Sequence, residues 1–169
     1  MTSERQQVLN EVHRRVGRNV LLFQLIEQRL KVLLPFIHYK GARHCLDGIE
    51  DRFAQSARRT LGQLLGSFNE VVTTNGDVFS RFLAELSNLR NDLVHQFHSS
   101  PNVDLSTIDG CRRTAEYLDL QFEHARQFNI LVQGIQVDIL EALRDFTFKD
   151  TSEHENFAKL CEQARQGLN

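Results

Sequence analysis

The segment from Leu89 to Phe97 contains an arginine, an asparagine and a histidine within six consecutive residues: Arg90, Asn91 and His95. These side chains have the chemistry to act on a phosphate group. A guanidinium stays charged and presents a planar fork of N–H donors to phosphate oxygens, and an imidazole gains or loses a proton near neutral pH. The three residues are therefore the first candidates for a functional site.

Apolar residues at three- and four-residue steps predict a helix over about residues 77–98 that carries this segment. At about 100° per residue they fall within one stripe: Phe79, Phe82, Leu86, Leu89, Leu93 and Phe97. Arg90 projects close to that stripe. It must extend into solvent or pair with an acid, because an unpaired buried charge costs several kcal/mol. The candidate acids are Glu27, on the first predicted helix, and Asp92.

The opposite face of the same helix is polar but uncharged. Asn91 and His95 are four residues apart and share that face with Asn88, and Ser87 and His98 lie near its edge. A solvated helix face usually carries Lys and Glu. This composition therefore predicts a surface that contacts a second subunit or a phosphate-bearing ligand.

Arg90 and His95 are about 140° apart around an ideal helix, so they cannot both point straight at one small target. The long arginine side chain can bend toward the histidine. Two copies of the helix crossing at a two-fold axis would also bring both pairs around one groove, and we expect a homodimer if the pair is catalytic. Structural roles stay open, because Arg90 can pair with Glu27 in packing and His95 can be an ordinary surface histidine.

The rest of the chain predicts an all-α protein with one domain over residues 1–169. Apolar periodicity and helix-capping patterns indicate about five helices, and no stretch alternates as a strand does. We expect a bundle in which the longer helices pack antiparallel. The predicted helices cover about residues 3–37, 47–74, 77–98, 104–143 and 152–164.

Charge and composition exclude several classes of protein. The chain has 20 basic and 22 acidic residues and a net charge of -2, so any RNA contact must be local. The segment 38–45 is basic, and its Lys40 and Arg43 are either RNA contacts or part of an exposed turn. Three scattered cysteines show no disulfide or zinc spacing. No P-loop, GxGxxG or GxSxG occurs, so we expect neither a metal nor a cofactor.

The first residues of the chain lack the apolar run of a signal peptide. No segment has the roughly 18 uninterrupted apolar residues of a membrane span. The odd number of cysteines also fits a reducing compartment. We therefore expect a soluble, cytoplasmic protein that does not act at a membrane.

The string Arg90-Asn91-Asp92-Leu93-Val94-His95 resembles the signature of the HEPN superfamily, in which a histidine follows an arginine after four to six residues. The likeness extends from Gly17 to Phe97. Residues 17–34, which include Glu27, resemble the long first helix of HEPN domains. Thr60-Leu61-Gly62-Gln63-Leu64-Leu65 is similar to the segment that often precedes the motif helix.

This resemblance implies an all-α domain that dimerises through its motif helices and often acts as a metal-independent endoribonuclease in toxin–antitoxin or anti-phage systems. It places Arg90 and His95 in the active site, with Asn91 in support. HEPN toxins paired with nucleotidyltransferase antitoxins commonly carry a tyrosine two residues after the histidine. This chain has Phe97 there, which puts silencing by that route in doubt.

The chemistry that follows is RNA cleavage through the 2′-hydroxyl. His95 would serve as base and acid and Arg90 would stabilise the phosphoryl charge, giving a 2′,3′-cyclic phosphate. DNA lacks the internal nucleophile, so we expect no DNA substrate. An alternative is a catalytically silent helical module that binds nucleotide, RNA or a partner protein. A third is a helical regulator that uses an Arg90–Glu27 pair for packing only. An antitoxin or regulatory protein remains a possible partner.

Overall fold

The computed structural model describes residues 4–37, 48–72 and 76–166, and the regular elements in these ranges are all helices. The predicted all-α class is confirmed. Lys40 and Arg43 lie outside the described residues. The α-helices in the described ranges are α1 (Glu4–Leu33), α2 (Ile49–Ala57), α3 (Leu61–Val71), α4 (Asp77–His95), α5 (Ile108–Ala142) and α6 (His154–Gln166). Within these ranges, no helix is long and apolar enough to cross a membrane.

Six α-helices take the place of the predicted five, because the second predicted helix is broken at Thr60. Thr60 has an extended backbone, with φ -78° and ψ 161°, and its N–H donates to Gln63 Oε1 at 3.0 Å. This arrangement caps the start of α3. It also separates α3 from α2, so the two do not form one continuous helix. The apolar pattern from Ile49 to Phe68 continues across the break, which is why periodicity alone predicted one helix.

The two longest helices, α1 and α5, run parallel, which corrects the expectation that the long helices pack antiparallel. Contacts between them advance in the same direction along both helices. They join Glu4 to Arg112, Arg15 to Asp119, and Arg29 to the backbone carbonyl of Asn129. The reason is topological: the chain returns through α4 between them, so α5 starts again at the end of the bundle where α1 starts.

The antiparallel expectation does hold for α4. The ring of Phe82 contacts His124 and Phe128 of α5, whereas Leu89, further along α4, meets Gln121, which lies earlier in α5. The carboxyl end of α4 therefore lies beside the amino end of α5. That end of the bundle carries the candidate site.

Helix α4 is held against a core built from α1, α3 and α5. Leu86 and Leu93 of the predicted stripe are buried, and Leu83 is buried with them. The other stripe residues are partly buried and pack on this core: Phe79, Phe82, Leu89 and Phe97. This orientation leaves the predicted polar face of α4 exposed.

After α4 the chain makes a short 3₁₀-helix (Phe97–Ser99) and a turn at Pro101. Thr107 then caps α5, because its side chain accepts a hydrogen bond from the Gly110 N–H at 2.9 Å. At its other end, α5 passes into a π-helical turn, Leu143–Thr147. The predicted ends of the motif helix and the start of the next are thus close to those in the structure.

Candidate functional site

The side chain of Arg90 contacts those of both Asn91 and His95 at the carboxyl end of α4. Arg90 Nη1 lies 3.0 Å from His95 Nε2 and donates to Asn91 Oδ1 at 3.2 Å. The angular separation on the helix is overcome by the arginine, which bends back over the last turn. The structure therefore brings the three sequence-predicted residues into one cluster, which we call the Arg–Asn–His cluster.

The donor and acceptor in the Arg90–His95 contact follow from the chemistry of the guanidinium. A guanidinium has N–H donors and no acceptor, so His95 Nε2 must accept the hydrogen bond. Nε2 is then unprotonated, and the ring proton of the neutral histidine is on Nδ1. The lone pair that could act as a base is covered by Arg90 until the guanidinium moves to another acceptor.

A ligand can reach this cluster from solvent. Asn91 and His95 are exposed, and Arg90 is partly exposed. The backbone beneath them is anchored by Leu93, which is buried, and by Phe97, which packs on the core. The exposed N–H donors of a guanidinium on an anchored backbone are suited to binding an anionic group.

Of the two alternatives for Arg90, extension into solvent or pairing with an acid, the described residues show no pairing with either candidate acid. Glu27 Oε1 instead accepts a hydrogen bond from Lys31 Nζ at 2.7 Å on its own helix. Gln121 hydrogen-bonds both Asn19 of α1 and the carbonyl of Leu89, so Leu89 lies at about the same level of the bundle as Asn19. Glu27 is eight residues beyond Asn19, which is about 12 Å further along the axis of α1 at 1.5 Å per residue. In the part of the chain that the structure describes, Arg90 forms no ion pair with a carboxylate.

Asp92 instead faces Tyr117 of α5. Burial raises the pKa of Tyr117, and the carboxylate of Asp92 raises it further. Hydrogen bonds with the side chains of Asn102 and Ser100 lower the pKa and offset part of that rise. Tyr117 therefore links α5 to the last turns of α4 and to the turn that follows. It was missed in the sequence, where the available signal was its position four residues before Gln121, on the same face of α5.

A second feature missed in the sequence is a pair of buried amides below the cluster. Asn19 and Gln121 are 0% and 1% exposed. Gln121 Nε2 donates to the backbone carbonyl of Leu89 at 2.8 Å, one residue before Arg90. The available signal was that each amide stands at a three- or four-residue step in an otherwise apolar series.

His98 is exposed and lies against the ring of Phe97, with 5.5 Å between ring centroids. It is close in the chain to the cluster, but among the described residues it forms no hydrogen bond with Arg90, Asn91 or His95. Its predicted role as an RNA contact stays a prediction. Among the described residues, no group of three or more His, Cys, Asp and Glu side chains could hold a metal ion.

A groove of about 340 Å³ runs between α3 and α4 on the same face of α4 as Asn91. Its lining is small and uncharged, as the composition of that face predicted. The groove is lined by Gly62, Leu65, Gly66, Asn69, Ser80, Leu83, Ala84, Ser87 and Asn88. A helix or a nucleotide base meets no fixed charge along this surface.

In comparisons with known proteins, no protein-family model, no curated protein and no solved structure matches this chain. The likeness to HEPN domains therefore stays a prediction from the motif residues. What the site can do is argued below from its geometry and chemistry.

Proposed function

We propose that this protein is a metal-independent endoribonuclease of the HEPN type that acts as a homodimer. One observation carries the proposal: Arg90 Nη1 and His95 Nε2 lie 3.0 Å apart on an exposed helix end, with Asn91 on the same guanidinium. A permanent cation beside an imidazole supplies the charge stabilisation and one of the two proton-transfer groups that metal-free phosphodiester transfer uses.

The reaction begins when a phosphodiester attracts the Arg90 guanidinium away from His95. The freed Nε2 takes the proton of the ribose 2′-hydroxyl, and the 2′-oxygen attacks phosphorus. The bond to the 5′-oxygen breaks, and that oxygen takes a proton from a protonated imidazole. The products are a 2′,3′-cyclic phosphate and a 5′-hydroxyl. Arg90 stabilises the phosphoryl charge, and Asn91 Oδ1 accepts a hydrogen bond that keeps the guanidinium near the phosphate.

The second imidazole would come from a second copy of the chain. One His95 serves as the base and the other as the acid, because a single ring cannot do both in one step. The uncharged groove beside α4, with Ala84 and Asn88 exposed, supports close approach of another α4. A two-fold axis near the carboxyl end of α4 would bring both Arg–Asn–His clusters to one cleft.

The biological setting in this proposal is a toxin–antitoxin or anti-phage system, in which an antitoxin or regulatory protein controls the activity. RNA is the substrate, with the 2′-hydroxyl as nucleophile, and DNA is not cleaved. His98 is proposed as an additional RNA contact at the edge of the cleft.

A second candidate function is a silent module that binds nucleotide, RNA or a partner through the same surface. It is favoured by the contact that covers His95 Nε2, because a base whose lone pair accepts from Arg90 is not available for proton transfer. The two candidates predict different products with the same ligand: the enzyme cleaves bound RNA and the module leaves it intact.

The test incubates purified protein with structured and unstructured RNA in the presence of EDTA. We expect cleavage by the wild type and loss of cleavage in His95→Ala and Arg90→Lys, with circular dichroism unchanged. The matched controls are His154→Ala, an exposed histidine at the start of α6, and Arg81→Lys, an exposed arginine on α4. Both should cleave as the wild type does. RNA that is bound but intact in every sample would favour the silent module.

A further inference from the structure

The amides of Asn19 and Gln121 form a buried link between three helices. Asn19 Nδ2 donates to Gln121 Oε1 at 2.9 Å and to the backbone carbonyl of Leu118 at 2.8 Å. Gln121 Nε2 donates to the carbonyl of Leu89 at 2.8 Å. Arg18 Nε donates to Asn19 Oδ1 at 3.1 Å. The link therefore starts on α1, crosses α5 and ends on the backbone of α4, next to Arg90.

Such a link adds little to the stability of the fold, but its hydrogen bonds are directional and favour one register of the helices. Hydrogen bonds between buried amides roughly balance the cost of removing them from water, so an apolar pair of similar size is often as stable. The other contacts between α4 and α5 include rings, such as Phe82 on Phe128. Ring and aliphatic contacts are less directional than hydrogen bonds and tolerate more than one register.

Register matters for the candidate site because all of its residues are on α4. A shift of α4 by one residue moves it about 1.5 Å and turns it by about 100°. Such a turn would take Asn91 and His95 away from the exposed face. A hydrogen bond from Gln121 to one particular backbone carbonyl opposes that movement.

We propose that Gln121, oriented by Asn19, is a positioning residue that sets the register of α4 against α5 and so places Arg90 and His95. The effect on catalysis rests on the proposed ribonuclease function. The effect on register does not, and it can be measured in a protein that cleaves nothing.

Tyr117 supplies a spectroscopic reporter of this register. The chain has two tyrosines and no tryptophan, so Tyr39→Phe leaves Tyr117 as the only phenol. Its ionisation is then followed by phenolate absorbance during a pH titration. Since Asp92 of α4 contributes to the raised pKa of Tyr117, displacement of α4 changes the titration. Asp92→Asn in the same background calibrates the size of that change.

The variants exchange the amides for apolar side chains of similar size. Asn19→Leu with Gln121→Met removes both partners, and Gln121→Asn keeps an amide that is too short to reach Leu89. The matched control is Gln133→Met. Gln133 is also buried on α5, at 4% exposed, and donates to a carbonyl, that of Ala164 on α6, at 3.0 Å.

The expected result is a folded double variant in which Tyr117 titrates at lower pH, toward the value in Asp92→Asn. Gln121→Asn should shift the titration in the same direction, and Gln133→Met should leave it unchanged. If the wild type cleaves RNA, both Gln121 variants should lose about tenfold to a hundredfold in turnover, the scale expected from a misplacement near 1 Å.

The outcomes separate the two proposals. A wild-type protein without cleavage contradicts the proposed function, and the Tyr117 titration still decides the register. A titration unchanged in both Gln121→Asn and the double variant, or an equal shift in Gln133→Met, overturns the positioning role of Gln121. A shifted titration with full cleavage activity shows that register is set there but does not govern the site, and also overturns the proposal.

Discussion

Replacing Arg90 by alanine should change the stability of this protein very little. Among the described residues, the polar contacts of its side chain are the exposed ones to Asn91 and His95. Exposed hydrogen bonds contribute about 0.5–1 kcal/mol in total after exchange with water. Alanine is also a slightly better helix former than arginine, by a few tenths of a kcal/mol. We therefore expect a loss of about 1 kcal/mol or less in the free energy of unfolding.

A structural ion pair would give a different result. Breaking a buried pair leaves an uncompensated charge and costs about 3–5 kcal/mol. Urea unfolding followed by circular dichroism distinguishes the two cases. In thermal unfolding of a chain of this length, 1 kcal/mol corresponds to about 2–4 °C in Tm. Leu86→Ala is the positive control, because Leu86 is buried in the core and its loss should cost about 2–5 kcal/mol. A loss of 3 kcal/mol or more in Arg90→Ala would refute the view that Arg90 is free to bind a ligand.

Two further predictions concern helices that pack around α4. Thr60→Ala removes the Thr60 side chain from the capping box of α3, in which it accepts from the Gln63 backbone N–H, and should cost about 1 kcal/mol in urea unfolding, while Thr60→Ser restores most of it; equal stability of all three proteins would contradict the capping role. Burial raises the pKa of Asp119, but hydrogen bonds from Arg18 and Arg15 lower it more, so the net pKa is below the ordinary 3.8. A lowered folded-state pKa contributes stability above the unfolded value, and that contribution is lost as pH falls through the folded value. Asp119→Asn should therefore weaken the acid dependence of unfolding below about pH 4, and an unchanged pH profile would count against the Arg–Asp contact.

The parts of the fold that could be predicted from the sequence are those set by local signals. Apolar spacing located α4, and the break before Pro101 located its end. The uncharged face of α4 was predicted because its residue types differ from those of an ordinary solvated face. Each of these signals lies within the element that it describes, so no knowledge of the neighbours was required.

The features that were missed depend on contacts between distant parts of the chain. The parallel pairing of α1 and α5 follows from the number of helices between them. The capping pattern at Thr60, which adds a helix, was missed, and its segment was noted only for a family likeness. Arg90 and Glu27 are suitable partners by charge, but they lie at different levels along the bundle axis. The Asn19–Gln121 link, which joins α1 to α4 through α5, holds them at those levels. The roles of those amides and of Tyr117 appear only when the helices are assembled.

The central claim is that His95 promotes attack by the ribose 2′-hydroxyl on the neighbouring phosphate. The most direct measurement compares an RNA with the same RNA that carries one 2′-deoxy nucleotide at the mapped cleavage position, both in EDTA, and determines the chemistry of the ends. Our account predicts a 2′,3′-cyclic phosphate and a 5′-hydroxyl from the first RNA and no cleavage at the deoxy position in the second. Cleavage of both, or products with a 5′-phosphate, would contradict it.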